Sequence, residues 1–422
     1  MIINSEGILN KNLSWLSFFV VFILVYYNNE TFPSILFKGQ GQTIIYIFLI
    51  IGIVFFYRIV LKKQLVYKSN TIIILTLCVL ILLTMLFNQN FSGGYIKIII
   101  CLLIGYMIIH IVNVEEFATY YVKVMLFLAI YSLIVTYLIR PWIFSLPSFI
   151  APVFTNEAGF SFINMRFSVV FNNPIYYRNF GIYREPGVYQ FFLNMALIFE
   201  LFFKKNKISP LTVMILCITV LSTFSTAGYI TSLSIIVAYN FVSKNHYDSE
   251  NNSNKKIYFL SVLFLILSIT FIFFKSYEFS YMFTDTVDKF TNKESSYQGR
   301  MVAILANLKL WGDSPILGSG IQALANSVKD VMQTQFSYST VHNTSTTGAM
   351  LVAFGLIFVI IVTTSLYMFI RESSQNTFVV LVIFLVIMFS INTQLLIYNE
   401  FLYTLIIFGG KNVKFENYLR GH

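Results

Sequence analysis

Between residues 140 and 186 the sequence sets four arginines, Arg140, Arg166, Arg178 and Arg184, against two glutamates, Glu157 and Glu185. A guanidinium presents a planar fork of donors that matches phosphate oxygens, each charge-assisted bond contributing about 1.5–3 kcal/mol. The excess of cations suits an anionic ligand. Arg184 has the best placement, because RNFGIYREPGVYQ (178–190) sets it directly before Glu185, Pro186 and Gly187 at the head of an apolar run. Proline is favoured in a first helical turn, and a helix N-terminus attracts anions. Glu185 can equally be a carboxylate favoured by the helix dipole, and any of the arginines can be solvated or paired with the acids of its own stretch.

A second polar stretch, 298–343, runs from QGR through SPILGSG to VHN. After Gly299 and Arg300, apolar residues recur at Met301, Ile304, Leu305, Leu308 and Trp311, which is helical spacing and predicts an amphipathic helix lying at a membrane interface. Gly312-Asp313-Ser314-Pro315 ends it, and Gly318-Ser319-Gly320 predicts a tight backbone turn. His342 and Asn343 close the stretch; of the four histidines, His110, His246, His342 and His422, only His342 falls in a long polar connection. Its imidazole titrates near neutral pH, so it is a candidate base as well as a candidate structural residue. No close cluster of His, Cys, Asp and Glu has metal-ligand spacing, and the serines lack a nucleophile-elbow pattern, so neither a metal site nor a Ser-His-Asp site is expected.

The elements that must carry these stretches are membrane helices. The chain has 422 residues, 57% hydrophobic and 11% charged, with a mean hydropathy of +0.75, which a soluble domain would not show. Apolar runs of about spanning length lie at 13–27, 43–61, 71–87, 95–112, 121–139, 187–203, 211–224, 227–242, 257–274, 347–370, 378–394 and 401–408. They lack the alternation of a membrane barrel, so the expected fold is an all-α polytopic bundle of about twelve transmembrane helices. The expected organisation is helices over 1–139, a first long loop over 140–186, helices over 187–274, a second long loop over 275–346, and helices with a tail over 347–422, both loops containing short helices. Basic residues mark alternate connections: Lys62, Lys63 and Lys68; Lys204, Lys205 and Lys207; Lys244, Lys255 and Lys256; then Arg371, Lys411, Lys414 and Arg420. These predict cytoplasmic termini and place both long loops on the outer face. The net charge of +10 follows from that scatter and from anionic headgroups, and no nucleic-acid partner is expected. Cys78, Cys101 and Cys217 lie in apolar runs and read as packing. Arg58, Lys97, Lys123 and Glu200 fall near span ends, where they are expected to snorkel, which argues against an ion-coupled transporter or flippase.

The order of these motifs, an REPG segment entering a helix after an arginine-rich outer loop, then GR, an amphipathic helix, SPxxGxG and HN in a second outer loop, resembles the O-antigen polymerase and O-antigen ligase superfamily. The REPG form is closer to the polymerases. The resemblance implies an integral, GT-C-like glycosyltransferase of the bacterial inner membrane. Such an enzyme joins oligosaccharides linked to undecaprenyl diphosphate, which serve as donor and acceptor on the periplasmic face, with no nucleotide sugar, cofactor or metal. It implies an inverting displacement in which Arg184, Arg300 and then Arg178 hold the leaving diphosphate. His342 or Glu185 would serve as base, His342 favoured by its pKa, with the reverse assignment left open in which His342 donates to the diphosphate and Glu185 orients the acceptor. Arg166, Tyr189, Asn343, Gly318 and Gly320 complete the expected substrate-binding set. Ligase and capsular polymerase activities fit the same motifs, and the resemblance also suggests a chain-length regulator or oligomerisation, which no residue here demonstrates.

Overall fold

The computed structural model describes residues 5–36, 40–62, 68–155, 159–173, 177–204, 208–244, 296–336, 343–374 and 376–410. The expected span 257–274, residues 275–295, Glu157 and His342 lie outside them, as do Lys63, Lys205, Lys207, Lys255, Lys256, Lys411, Lys414 and Arg420.

Apolar runs with no internal breaker become helices because every backbone donor finds its acceptor within the segment. The N-terminal set is α1 (Ser5–Tyr26), the short α2 (Phe32–Leu36), α3 (Gln40–Lys62), α4 (Lys68–Phe87), α5 (Gly93–Ile111) and α6 (Val114–Leu133). A π-helical segment, Ile134–Ile139, and α7 (Arg140–Ile143) extend α6, so the first long connection begins later than expected. Next come α8 (Pro186–Ile198) with its π-helical end Phe199–Phe203, α9 (Pro210–Ser222) and α10 (Thr226–Lys244). The second polar stretch folds as α11 (Ser296–Asp313), α12 (Ile321–Ala325) and α13 (Ser327–Phe336), and the chain continues into α14 (Thr346–Arg371), α15 (Thr377–Ile391) and α16 (Glu400–Gly410). Six helices among the described residues are long and apolar enough to cross a membrane, and shorter apolar helices accompany them.

The first long connection, expected to contain short helices, holds in addition to α7 a three-stranded antiparallel meander, β1 (Val153–Thr155), β2 (Ser161–Asn164) and β3 (Val169–Phe171). Its strands are short runs of Val, Phe and Ile, residues that suit a half-buried pleated surface, and they close over Phe32 and Phe180 in a small aromatic core. Glu200 does not snorkel. It is buried, with Lys204 Nζ at 3.0 Å and the Ser209 backbone N–H donating at 2.8 Å, because a carboxylate has too short a stem to reach water.

Helix α8 is the centre of the bundle: the segment Pro186–Phe203 is almost wholly buried, whereas α3 and α4 turn Ile53, Phe56, Leu75 and Phe87 outward, an apolar flank suited to hydrocarbon. Helix α16 is buried along its whole length. It can sit so close to α5 and α14 because Gly105 faces the backbone of Tyr403 and Thr404, and Gly409 faces the carbonyl of Ser365; a side chain at either crossing would strike backbone.

Candidate functional site

One end of the bundle gathers the C-terminal ends of α1, α4 and α15 and the N-terminal ends of α5, α8, α14 and α16. The turn after α1 is tied down from several sides. Glu30 N–H donates to Asn28 Oδ1 at 2.8 Å, Thr31 Oγ1 donates to Tyr26 O at 2.8 Å, Phe32 N–H donates to Ile182 O at 2.7 Å, and Arg184 N–H donates to Glu30 O at 3.0 Å. Asn29 N–H meanwhile reaches Glu400 Oε2 at 3.1 Å, joining the same turn to the start of α16.

This frame positions Arg184. Its Nε lies 2.6 Å from Glu30 Oε2, and its Nη2 donates to Leu395 O at 3.4 Å. The Glu30 side chain is 4% exposed and the Arg184 side chain 31%, so the pair is anchored from beneath and open on the arginine's side. Glu30 raises the Arg184 pKa above the ordinary arginine value against the pull of burial, which holds the guanidinium charged. Glu185 occupies the N-cap of α8 in an extended conformation, but its side chain makes no capping hydrogen bond and is exposed.

Arg300, in the first turns of α11, reaches electrostatic range of Glu185 from the second polar stretch. Burial lowers its pKa; Glu185 opposes that shift and Arg178 adds to it, so these three charges are electrostatically coupled although 115 positions separate Glu185 from Arg300 (300 − 185). Among the described residues the Arg300 guanidinium has neither an ion pair nor a hydrogen bond, an undercompensated cation that an anion would complete. Arg178 is engaged differently. Its Nε donates to Thr223 O at 3.1 Å and its Nη2 to Phe224 O at 3.2 Å, so it caps the carbonyl end of α9 and holds the LSTFSTAGY turn, in which Phe224 is left-handed at φ 51°. Asn179 supports the same turn, donating from Nδ2 to Ser132 Oγ and Ser222 Oγ, each at 3.0 Å.

The other residues expected at the site are spread around it. Asn343 and Asn307 of α11 exchange side-chain hydrogen bonds at 3.0 and 3.2 Å, fastening the Arg300 helix to the entry of α14. Asn307→Ala is expected to cost about 1–3 kcal/mol by stranding its partner amide, read as a lower unfolding midpoint of the detergent-purified protein; an unchanged midpoint would show that the pair fastens nothing. Gly318 is packed against the backbone of Ala353 and Phe354, and Gly320 against the Tyr95 hydroxyl, where a side chain has no room. Tyr189 is buried, its hydroxyl 3.1 Å from Ser132 Oγ and its ring stacked on Tyr183 at 5.3 Å. Arg166 is exposed at the β2–β3 turn with φ 64°, its carbonyl accepting from the Tyr26 hydroxyl at 2.8 Å. Helix α11 packs through Ala303 and Ala306 and exposes Met301, Leu305 and Leu308.

Glu30 is a site residue that no motif in the sequence marks. Its only signal is an acidic residue, in YYNNE, just past the first apolar run. Gln394 is likewise unmarked in the sequence; its amide covers Gly187 at the head of α8.

Comparison with known families matches residues 211–346 to the family model described as O-antigen ligase. The match spans α9, α10, the Arg300 helix, the glycine turn and the segment holding His342 and Asn343, and it supports the resemblance to the O-antigen ligase and polymerase superfamily. No curated protein and no solved structure matches the chain.

Proposed function

We propose, from that match and from the electrostatic coupling of Glu185 to both Arg184 and Arg300, that the protein is an O-antigen polymerase. It is read as a multi-pass protein of the bacterial inner membrane with cytoplasmic termini. It joins undecaprenyl-diphosphate-linked oligosaccharides on the periplasmic face. The observation that carries the reading is Arg300: a charged, part-buried guanidinium with no ion pair or hydrogen bond among the described residues, held within electrostatic range of Glu185 and Arg178 although distant in sequence. A doubly phosphorylated lipid supplies the missing anion, and the exposed apolar stripe of Met301, Leu305 and Leu308, starting at the very next residue, suits the hydrocarbon chain it carries.

In the reaction, an acceptor sugar hydroxyl attacks the anomeric carbon of the donor as the bond from that carbon to the diphosphate oxygen breaks. The electron pair leaves with the diphosphate, where Arg300 and Arg184 stabilise the developing charge, preorganised cations being the largest single contribution available. The hydroxyl proton passes to His342 or Glu185. Glu185 is exposed and free of capping duty, which leaves it able to take that proton or to orient the acceptor.

Ligase activity is the second reading, favoured by the description of the matched family model. Deleting the gene in its host and resolving the surface polysaccharide by gel separates the two. A ladder reduced to core plus one repeat unit is the polymerase result; loss of all attached glycan, with long lipid-linked chains accumulating, replaces it with the ligase, and an unaltered ladder removes both.

A further inference from the structure

We propose that Glu30 is a positioning residue for the transfer reaction: it pins Arg184 in the orientation that faces the diphosphate and keeps it from pairing with its neighbour Glu185. The inference rests on the reading above. Two carboxylates compete for one guanidinium here. Glu185 is adjacent in sequence and exposed, so its hold on Arg184 is weakened by water. Glu30 is buried, makes the 2.6 Å contact at Nε, and is fixed by the hydrogen bonds of the turn that carries it. A buried partner held in place wins over an exposed one screened by water. With Nε held by Glu30 and Nη2 turned to Leu395 O, the remaining nitrogen, Nη1, has no partner among the described residues and is available to a ligand, and Glu185 is left to the acceptor. Without Glu30, Arg184 would fold onto Glu185 and both groups would be lost to the reaction at once.

The test uses the full-length protein in detergent or nanodiscs with a lipid-linked repeat unit as substrate, comparing wild type, Glu30→Gln, Glu30→Asp, Arg184→Ala and the Glu30→Gln/Arg184→Ala double variant. Glutamine keeps the shape and removes the charge. The expected result is a fall in kcat/KM of roughly tenfold or more for Glu30→Gln, partial recovery in Glu30→Asp, and a double variant no slower than Arg184→Ala alone. Unfolding midpoints run alongside, since a merely structural role predicts rates that follow stability across the variants; that pattern overturns the inference, as does a double variant slower than Arg184→Ala alone. So does Glu30→Gln turning over like wild type. A wild-type protein that joins no repeat units removes the functional reading itself, and this inference with it, so the two failures are told apart by the wild-type lane.

Discussion

Arg300→Ala is expected to stop polymer extension while the protein accumulates normally, with transfer slowed by at least ~100-fold, the scale seen when one preorganised donor to a developing negative charge is removed. The clean separation of activity from stability is what makes this variant informative. Arg300 has no ion pair or hydrogen bond among the described residues, and burial already lowers its pKa, so removing it strands no partner among them and relieves a desolvation cost. Arg184 is the opposite case: its loss would leave Glu30 buried and uncompensated, so a dead Arg184→Ala protein could be dead for either reason. Arg300→Lys keeps the charge but not the fork that grips two oxygens together, and should fall between the two, slower than wild type by about tenfold. The measurement is the rate of repeat-unit addition by purified protein, with chain length on the cell surface as the in vivo readout. Wild-type chain length in Arg300→Ala at equal abundance would sink the arginine clamp.

The helices were legible because their signal is a one-dimensional one: a long apolar run must satisfy its backbone internally wherever it sits, so α3 to α6 and α14 follow from composition alone. Helix α11 followed from spacing, and so did its exposed apolar stripe. The meander in the first connection did not, because strands of three or four residues carry too little alternation to register and gain their stability from Phe32 and Phe180, which are remote in sequence. The same distinction governs the site. Arg184, Glu185 and Arg300 were visible as charges that a membrane protein must justify, but how each is engaged depends on partners far along the chain. Arg184 is balanced by a glutamate more than a hundred and fifty positions away (184 − 30 = 154), whereas Arg300 has no ion pair among the described residues, and Arg178, read as a ligand-binding cation, is engaged by the carbonyls of Thr223 and Phe224. A side chain's freedom is a property of the fold, and one-dimensional spacing does not carry it.

Gly355→Ala is expected to be the most damaging substitution to the fold itself. Gly355 interrupts α14 at φ 76° and ψ −176°, a conformation that a side chain makes costly, and a Cβ there would collide with the carbonyl of Ile316. The break frees backbone groups of a membrane-length helix, and the 314–320 turn satisfies them: Ser319 N–H donates to Val352 O at 2.7 Å and Leu356 N–H donates to Pro315 O at 2.9 Å. The turn is held from its other side by Thr84 Oγ1 donating to Leu317 O at 2.9 Å and Asn88 Nδ2 donating to Gly318 O at 3.1 Å, so it is wedged between α14 and the end of α4. Backbone strain of about 1–3 kcal/mol and overpacking of about 1–3 kcal/mol add to roughly 2–6 kcal/mol, enough to deplete a marginally stable protein. The variant should therefore be scarce in the membrane fraction and unfold well below wild type once purified. Because the wedged turn directly follows α11, whatever protein survives should also misplace Arg300 and extend chains poorly. Gly355→Ala at wild-type abundance and with a wild-type unfolding midpoint would mean that the kink does not hold the turn, and that the Arg300 helix owes its position to the Asn307–Asn343 bond instead.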